Sequence, residues 1–510
     1  MKMTQPMIVA PLVSLCMTAT AQAEEILGTW VERVQVAYEN AYDEECDPAY
    51  DTLKQSLADP EFENNLKPIG QAMVHRAIIY CAAHLEDKER ARQGFEDWRA
   101  LGLEDQDAWS YRWQTFQEAE WDDPERAMTA LASWLEEEEE LNGRIEVRMF
   151  NTVRASIIDN LDGEAQARAV LRLFGLVEAN NFVFPEPQYD RSFDYKLEAR
   201  AHAELGDITA AKAALEKITD PKVLIEIHTI ARDEGLRLDG FDLTPAAIKT
   251  LYEQDLARKK TKLHAQPEYL RRYINVAQVM RQLGDEAGAI ALLEDATSRL
   301  GQEPAAFKDE REEANWAYNE LAYAQFNLGE IDRGVNTFRR GISSKERGDQ
   351  NVSQIINLAA SLNYTGRIDE AIAVLSAMGK ASSFGDMFEQ SIKACATHEL
   401  GDAETAATHL AYVIENKDDN VSALMETYVC MGMEDEAAAL LIERLQDPNR
   451  ADQALWSIHS RYPYPVQQDY HETLKATYAR IHAREDVQDA AAAVGTIIDL
   501  PIYNIYWGNN

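Results

Sequence analysis

From about residue 26 to 493, apolar residues recur at i, i+3, i+4 and i+7, the stripe of an amphipathic helix, and alternating β-branched runs are nearly absent. The helical stretches are short and are punctuated by Gly-Asp or similar pairs, which predicts an all-α chain of helix hairpins. The glycine that ends one helix before the next sets a register. Gly206, Gly284, Gly329, Gly366, Gly401 and Gly432 share it, at spacings of 78, 45, 37, 35 and 31 residues. The first spacing holds two units, one of them degenerate around residues 236–257.

The register repeats in detail. Seven residues before the glycine stand Ala199, Ala277, Ala322, Ala359 and Ala394, with Met425 the exception. Five after it come Ala211, Ala289, Gly334, Ala371, Ala406 and Ala437, and nine after it Leu215, Leu293, Phe338, Leu375, Leu410 and Leu441. Small residues let two antiparallel helices approach, and large ones fill the space between hairpins. The glycine supplies the left-handed conformation that stops the first helix, and Asp207 or Asp402 behind it can cap the second.

With Leu321-Ala322, Leu328-Gly329-Glu330-Ile331-Asp332, Gly334 and Phe338, and with Gly366-Arg367-Ile368-Asp369-Glu370-Ala371, the chain resembles the tetratricopeptide repeat family over roughly residues 190–445. The resemblance implies a right-handed superhelical solenoid of helix pairs that binds peptides or proteins on its concave face and carries no enzymatic activity. In that family the concave face is lined by the first helix of each pair. The register then offers Arg271, Gln278 and Arg281, then Trp316, Asn319, Tyr323 and Asn327, then Asn363 and Tyr364 as a partner-binding groove. Asparagines can hold a peptide backbone, arginines can pair a carboxylate, and aromatic rings supply rigid apolar area.

Before residue 180 the same logic persists in degraded form, with Glu86, Asp122 and Asp162 in the glycine's place. The expected organisation is a leader at residues 1–23, divergent helical repeats over 24–179, a repeat array over 190–459, and a C-terminal helix with an apolar tail over 460–510. Pro185 and Pro187 mark the break between the two arrays, and Pro463 and Pro465 a second break. The tail from Ile497 to Trp507 is apolar and not helix-periodic. It either packs on the last hairpin and caps the solenoid or is offered to a partner.

Charge and leader place the chain in a setting. Lys and Arg number 50 against 88 Asp and Glu, a formal net charge of −38, which argues against a phosphate-backbone binder and against docking on anionic lipid. Lys2, the apolar run after it and Ala21-Gln22-Ala23 read as a secretory signal, so the expectation is an exported, periplasmic protein without membrane insertion. Export permits disulfides, and Cys46–Cys81 and Cys395–Cys430 are the simplest pairs, with free thiols the other reading. No catalytic motif, cofactor fingerprint or metal-spaced His/Cys cluster stands out, so no catalytic, cofactor-binding or metal residue is assigned.

The expected function is a scaffold that holds a protein or peptide, within a cell-envelope complex. The competing reading is an enzyme or carbohydrate-binding factor using Trp98, Trp109, Trp113, Trp121 and Trp134 in the N-terminal half, although Trp109, Trp113 and Phe116 also read as a core stripe.

Overall fold

The computed structural model describes residues 37, 46–58, 68–103, 106–137, 147–179, 190–343, 351–462 and 469–506. The leader, the Pro185/Pro187 break and the Pro463/Pro465 break lie outside the described residues. The chain divides into two compact units, Met1–Tyr189 with Glu204–Asp207 and Asp190–Ala203 with Ile208–Asn510.

The described part of the first unit is α1 (Cys46–Ala58), α2 (Pro68–His84), α3 (Lys88–Arg99), α4 (Gln106–Glu120), α5 (Pro124–Glu137), α6 (Val147–Asn160) and α7 (Gly163–Ala179). The turn from α2 to α3 runs through Glu86 at φ 59°, and that from α4 to α5 through Asp122 at φ 61°. Both are left-handed without glycine. The third turn departs from the expected register: Gly163, at φ 48°, takes the left-handed position in place of Asp162. Glycine reaches that conformation without the Cβ clash, so the turn slides one residue to use it.

Trp98, Trp113, Trp121 and Trp134 serve packing in this unit, while the Trp109 side chain lies outside the described residues. Trp98 and Phe95 are buried in one core, and the Trp113 ring meets them edge-on at 6.3 and 5.6 Å. Cys46 and Cys81 lie in the same core as buried thiols and are not joined to each other, which corrects the Cys46–Cys81 bridge. Each acts as a small apolar residue between helices.

The second unit opens with α8 (Ser192–Glu204), α9 (Ile208–Leu215), α10 (Pro221–Thr229), a 3-10 turn over Ala231–Leu236, and the long α11 (Pro245–Ala265). Regular pairs follow: α12 (Leu270–Gln282) with α13 (Glu286–Ser298), α14 (Glu310–Asn327) with α15 (Ile331–Ile342), and α16 (Val352–Tyr364) with α17 (Ile368–Leu375). Then come α18 (Ser383–Glu399) with α19 (Ala403–Glu415), and α20 (Val421–Cys430) with α21 (Glu434–Gln446). The chain closes with α22 (Ala451–Ile458), β1 (Ser460–Tyr462), α23 (Asp469–His482), α24 (Glu485–Val494) and β2 (Asp499–Tyr503).

The hairpin turns show why the register exists. After α12, Gly284 sits at φ 86°, its N–H donates to the Arg281 carbonyl at 2.9 Å, and the Asp285 N–H donates to the Met280 carbonyl at 2.8 Å. That pair of bonds satisfies the last carbonyls of α12. The Asp285 carboxylate then accepts from the Gly288 N–H at 2.9 Å and opens α13. Asp402 does the same for α19, accepting from Thr405 N–H at 3.1 Å. Ala199, Ala277, Ala322, Ala359 and Ala394 are fully buried at the helix crossings. Gly334 replaces alanine at its register position because a Cβ there would collide with the Phe326 ring.

Cys395 on α18 and Cys430 on α20 form a disulfide across neighbouring hairpins, with Cα atoms 5.6 Å apart. In the basic stretch of α11, Asp255 takes Arg258 at 2.5 Å and Lys259 at 2.8 Å, so both charges are spent inside the helix.

The C-terminal segment takes an unexpected course. It runs back to the beginning of its unit. Thr496 N–H donates to the Thr229 carbonyl at 2.9 Å, and Gly495 permits this because a Cβ would strike that carbonyl. β2 then pairs in parallel with β1, Ser460 opposite Asp499 and Tyr462 opposite Tyr503. Leu500 and Ile502 alternate into one apolar strip made by Ile225, Ile248, Tyr252 and Val279 of α10–α12. A period-2 segment fits this strip, where a helix would turn half its apolar residues to solvent.

Candidate functional site

The register residues of α12 and α14 converge on one buried cluster. Arg281 has no solvent exposure. Its guanidinium bonds Glu286 Oε2 at 3.1 Å and Glu320 Oε2 at 2.5 Å, and donates to the carbonyl of Ile505 in the C-terminal segment. Asn327 Nδ2 donates to the other Glu286 oxygen at 2.6 Å. Gln278 Nε2 donates to Glu320 Oε1 at 3.1 Å and to the Tyr506 hydroxyl at 2.9 Å, and that hydroxyl donates to Glu320 Oε1 at 2.7 Å. The Tyr323 ring meets the Tyr506 ring edge-on at 5.2 Å. The cluster thus grips the segment that follows β2 in two ways. It takes a main-chain carbonyl with a fixed guanidinium, and a tyrosine with an aromatic wall and a polar floor.

The electrostatics follow from burial. Desolvation raises the Glu286 carboxyl above its usual range, while Arg281 and Asn327 pull it back. Burial, aided by the charge of Glu320, lifts the Tyr506 phenol well above the usual tyrosine range, so it stays a donor.

The remaining register residues spread along the same helices. Arg271 pairs Glu313 at 2.7 Å, and burial pushes that carboxyl up to about 7 against the pull of Arg271. Asn319 accepts from Asn357 Nδ2 at 2.8 Å, linking α14 to α16. Trp316 is partly buried against the core of α12 and α13. Asn363 and Tyr364 leave the cluster and line a separate recess with Glu426, Tyr470 and Tyr478.

Residues outside the register complete both places. Glu286, Glu320, Ile505 and Tyr506 belong to the first, Glu426, Tyr470 and Tyr478 to the second. With 88 acids in the chain no single carboxylate stands out, and the tail carries no repeat signature. The one available signal was that Arg281, buried by its register position, needs a carboxylate beside it.

Among the described residues no group of three or more His, Cys, Asp or Glu could hold a metal ion. No described helix is long and apolar enough to cross a membrane.

Residues 316–423, spanning α14 to α20, match the model of the tetratrico peptide repeat family. The solved structure of the APC/C hetero-tetramer Cut9–Hcn1 aligns over 92% of this chain and 90% of its own, at 12% identity and a TM-score of 0.28. Naa15/Naa10 bound to HypK-THB aligns over 91% and 79%, at 12% identity and a TM-score of 0.25. No curated protein matches the chain. On its hairpins, its left-handed turns and the matched repeats, the chain is a TPR-like all-α repeat protein.

Proposed function

We propose that the protein is an exported scaffold that holds an extended segment of a protein partner against the first helices of its repeats, within a cell-envelope complex. One observation carries this reading: Gln278, Arg281, Glu320 and Tyr323 already hold a peptide segment, the chain's own Ile505 and Tyr506, just beyond the strand β2. A guanidinium on a main-chain carbonyl is indifferent to sequence, and the slot for tyrosine adds selectivity. A partner segment is therefore apolar, extended and tyrosine-bearing. Export rests on the leader at residues 1–23.

The test uses a fluorescent peptide of residues 497–507. It should bind the full chain carrying Tyr506→Ala, whose slot is emptied, and bind the unsubstituted chain far less. Binding should vanish when Gln278→Ala is added. A Tyr506→Ala chain that folds and ignores the peptide rules the reading out. Export is read separately, from whether the N-terminus of protein recovered from the native host is Glu24.

A further inference from the structure

The recess around Glu426 has a chemistry that the scaffold reading does not use. It lies between α16, α18, α20 and α23, and Cys395 and Cys430, the disulfide pair, form part of its wall. It is narrow, with room for a single water-sized group. Glu426 lies deep in it and takes a hydrogen bond from Tyr364. Tyr364, Tyr470 and Tyr478 contribute to the lining, with the Tyr364 and Tyr470 rings 6.3 Å apart. Two buried polar atoms on this lining, Asn363 Oδ1 and the Tyr470 hydroxyl oxygen, face each other and have no hydrogen-bond partner of good geometry among the described residues. Asn363 as a whole is only 4% exposed.

The groups offered are of one kind: a carboxyl, an amide oxygen, a phenol oxygen and aromatic faces. All of them attract a hydrogen-bond donor with positive charge. No described Lys or Arg forms an ion pair with Glu426. A buried acid without a cation stays protonated, and burial alone pushes this carboxyl up to about 8, with only the Tyr364 bond opposing it.

We propose that this recess is a binding site for a primary ammonium group, carried by a small amine or by the tip of a lysine side chain. An ammonium supplies three donors, one each for the Glu426 carboxyl, the Asn363 amide oxygen and the Tyr470 phenol oxygen, and matches the size of the space. A guanidinium or a trimethylammonium is too large for it. The proposal is independent of the peptide slot at Arg281, since the two places share no residue.

Calorimetric titration of the full chain tests it with n-butylammonium, with a lysine blocked at both its amino and carboxyl ends, and with n-butanol and tetramethylammonium as controls. Saturable binding of n-butylammonium, absent for both controls, is expected, and Glu426→Gln should weaken it about tenfold. The blocked lysine binding more tightly than n-butylammonium identifies a lysine tip as the ligand. The reverse order identifies a small amine. No saturable binding of either amine, equal binding of n-butanol, or unchanged binding in a folded Glu426→Gln chain each overturns the proposal. If that variant does not fold, the selectivity of the unsubstituted chain for ammonium over the controls decides alone.

Discussion

Asp452 and Glu426 are both carboxyls set deep in the second unit, and they titrate in opposite directions. Around Asp452 stand Lys196 at 3.3 Å, Arg200 at 2.7 Å and Arg232. Burial works to raise this carboxyl, but the three cations outweigh it and hold it at about 2. Glu426 meets the same desolvation with tyrosines for company and rises to about 8. Depth alone therefore says nothing about charge; the count of cations within reach decides it. The difference is also one of task. Asp452, on α22, ties the end of the unit to α8 and to the 3-10 turn, and so closes the structure. Glu426, among the described residues, bonds Tyr364 alone.

The Arg281 cluster lies between these extremes, with two acids sharing one guanidinium. Arg281→Met is the most damaging change expected. It leaves Glu286 and Glu320 buried without their cation and the Ile505 carbonyl without its donor, a loss of about 3–5 kcal/mol. Chemical denaturation measures it. A loss near zero would place this cluster with Glu426, as a site that structure does not need.

Glu426→Gln probes the other pole and has the opposite sign. The folded carboxyl keeps its proton up to about 8. The unfolded one releases it near 4.5. Between those values the fold holds a proton that the unfolded chain has lost, so this group's contribution falls as pH rises. The other titratable groups facing it, Tyr364 on α16, Tyr470 and Tyr478 on α23, and Tyr323 on α14, are all raised by burial and remain neutral there; Arg444 acts on Tyr478 and Arg450. The variant should match the parent at pH 4 and exceed it by about 2–3 kcal/mol at pH 7. Equal stability at both values would put Glu426 in a wetter setting and end the contrast.

This contrast also marks where sequence reasoning stops. The repeats were legible because their physics is local. A left-handed glycine and, in five of the six units, an alanine at the crossing recur at fixed offsets, and an aspartate caps α13 and α19. The register also carried Gln278, Arg281, Tyr323 and Asn327 into one cluster. What completed that cluster was not local. Tyr506 lies 186 residues from Glu320 in the chain, and no periodicity connects them. The apolar tail was recognisable as a segment that must be buried. Its docking ground, the strip of Ile225, Ile248, Tyr252 and Val279, is assembled from three helices and shows only in three dimensions. The Cys46–Cys81 pairing failed for a related reason, since spacing fixes how near two cysteines lie in sequence and not how their helices turn them.

Asp452→Asn is the mildest of the three changes and the one that fixes the sign at the acid end. The folded carboxyl is held at about 2, below its usual 3.8. Its stabilising contribution is complete above pH 4 and is lost as pH falls toward 2, where the folded group takes up its proton. The substitution should therefore cost about 2 kcal/mol at neutral pH and progressively less below pH 4. Lys196 retains Glu226 at 2.6 Å and Arg200 retains Asp233 at 2.5 Å, so neither cation is stranded and the loss stays below that of Arg281→Met. Melting curves of parent and variant that converge on acidification would establish the cation count as the cause. Curves that stay parallel down to pH 2 would show that packing at α22, and not charge, holds the unit closed.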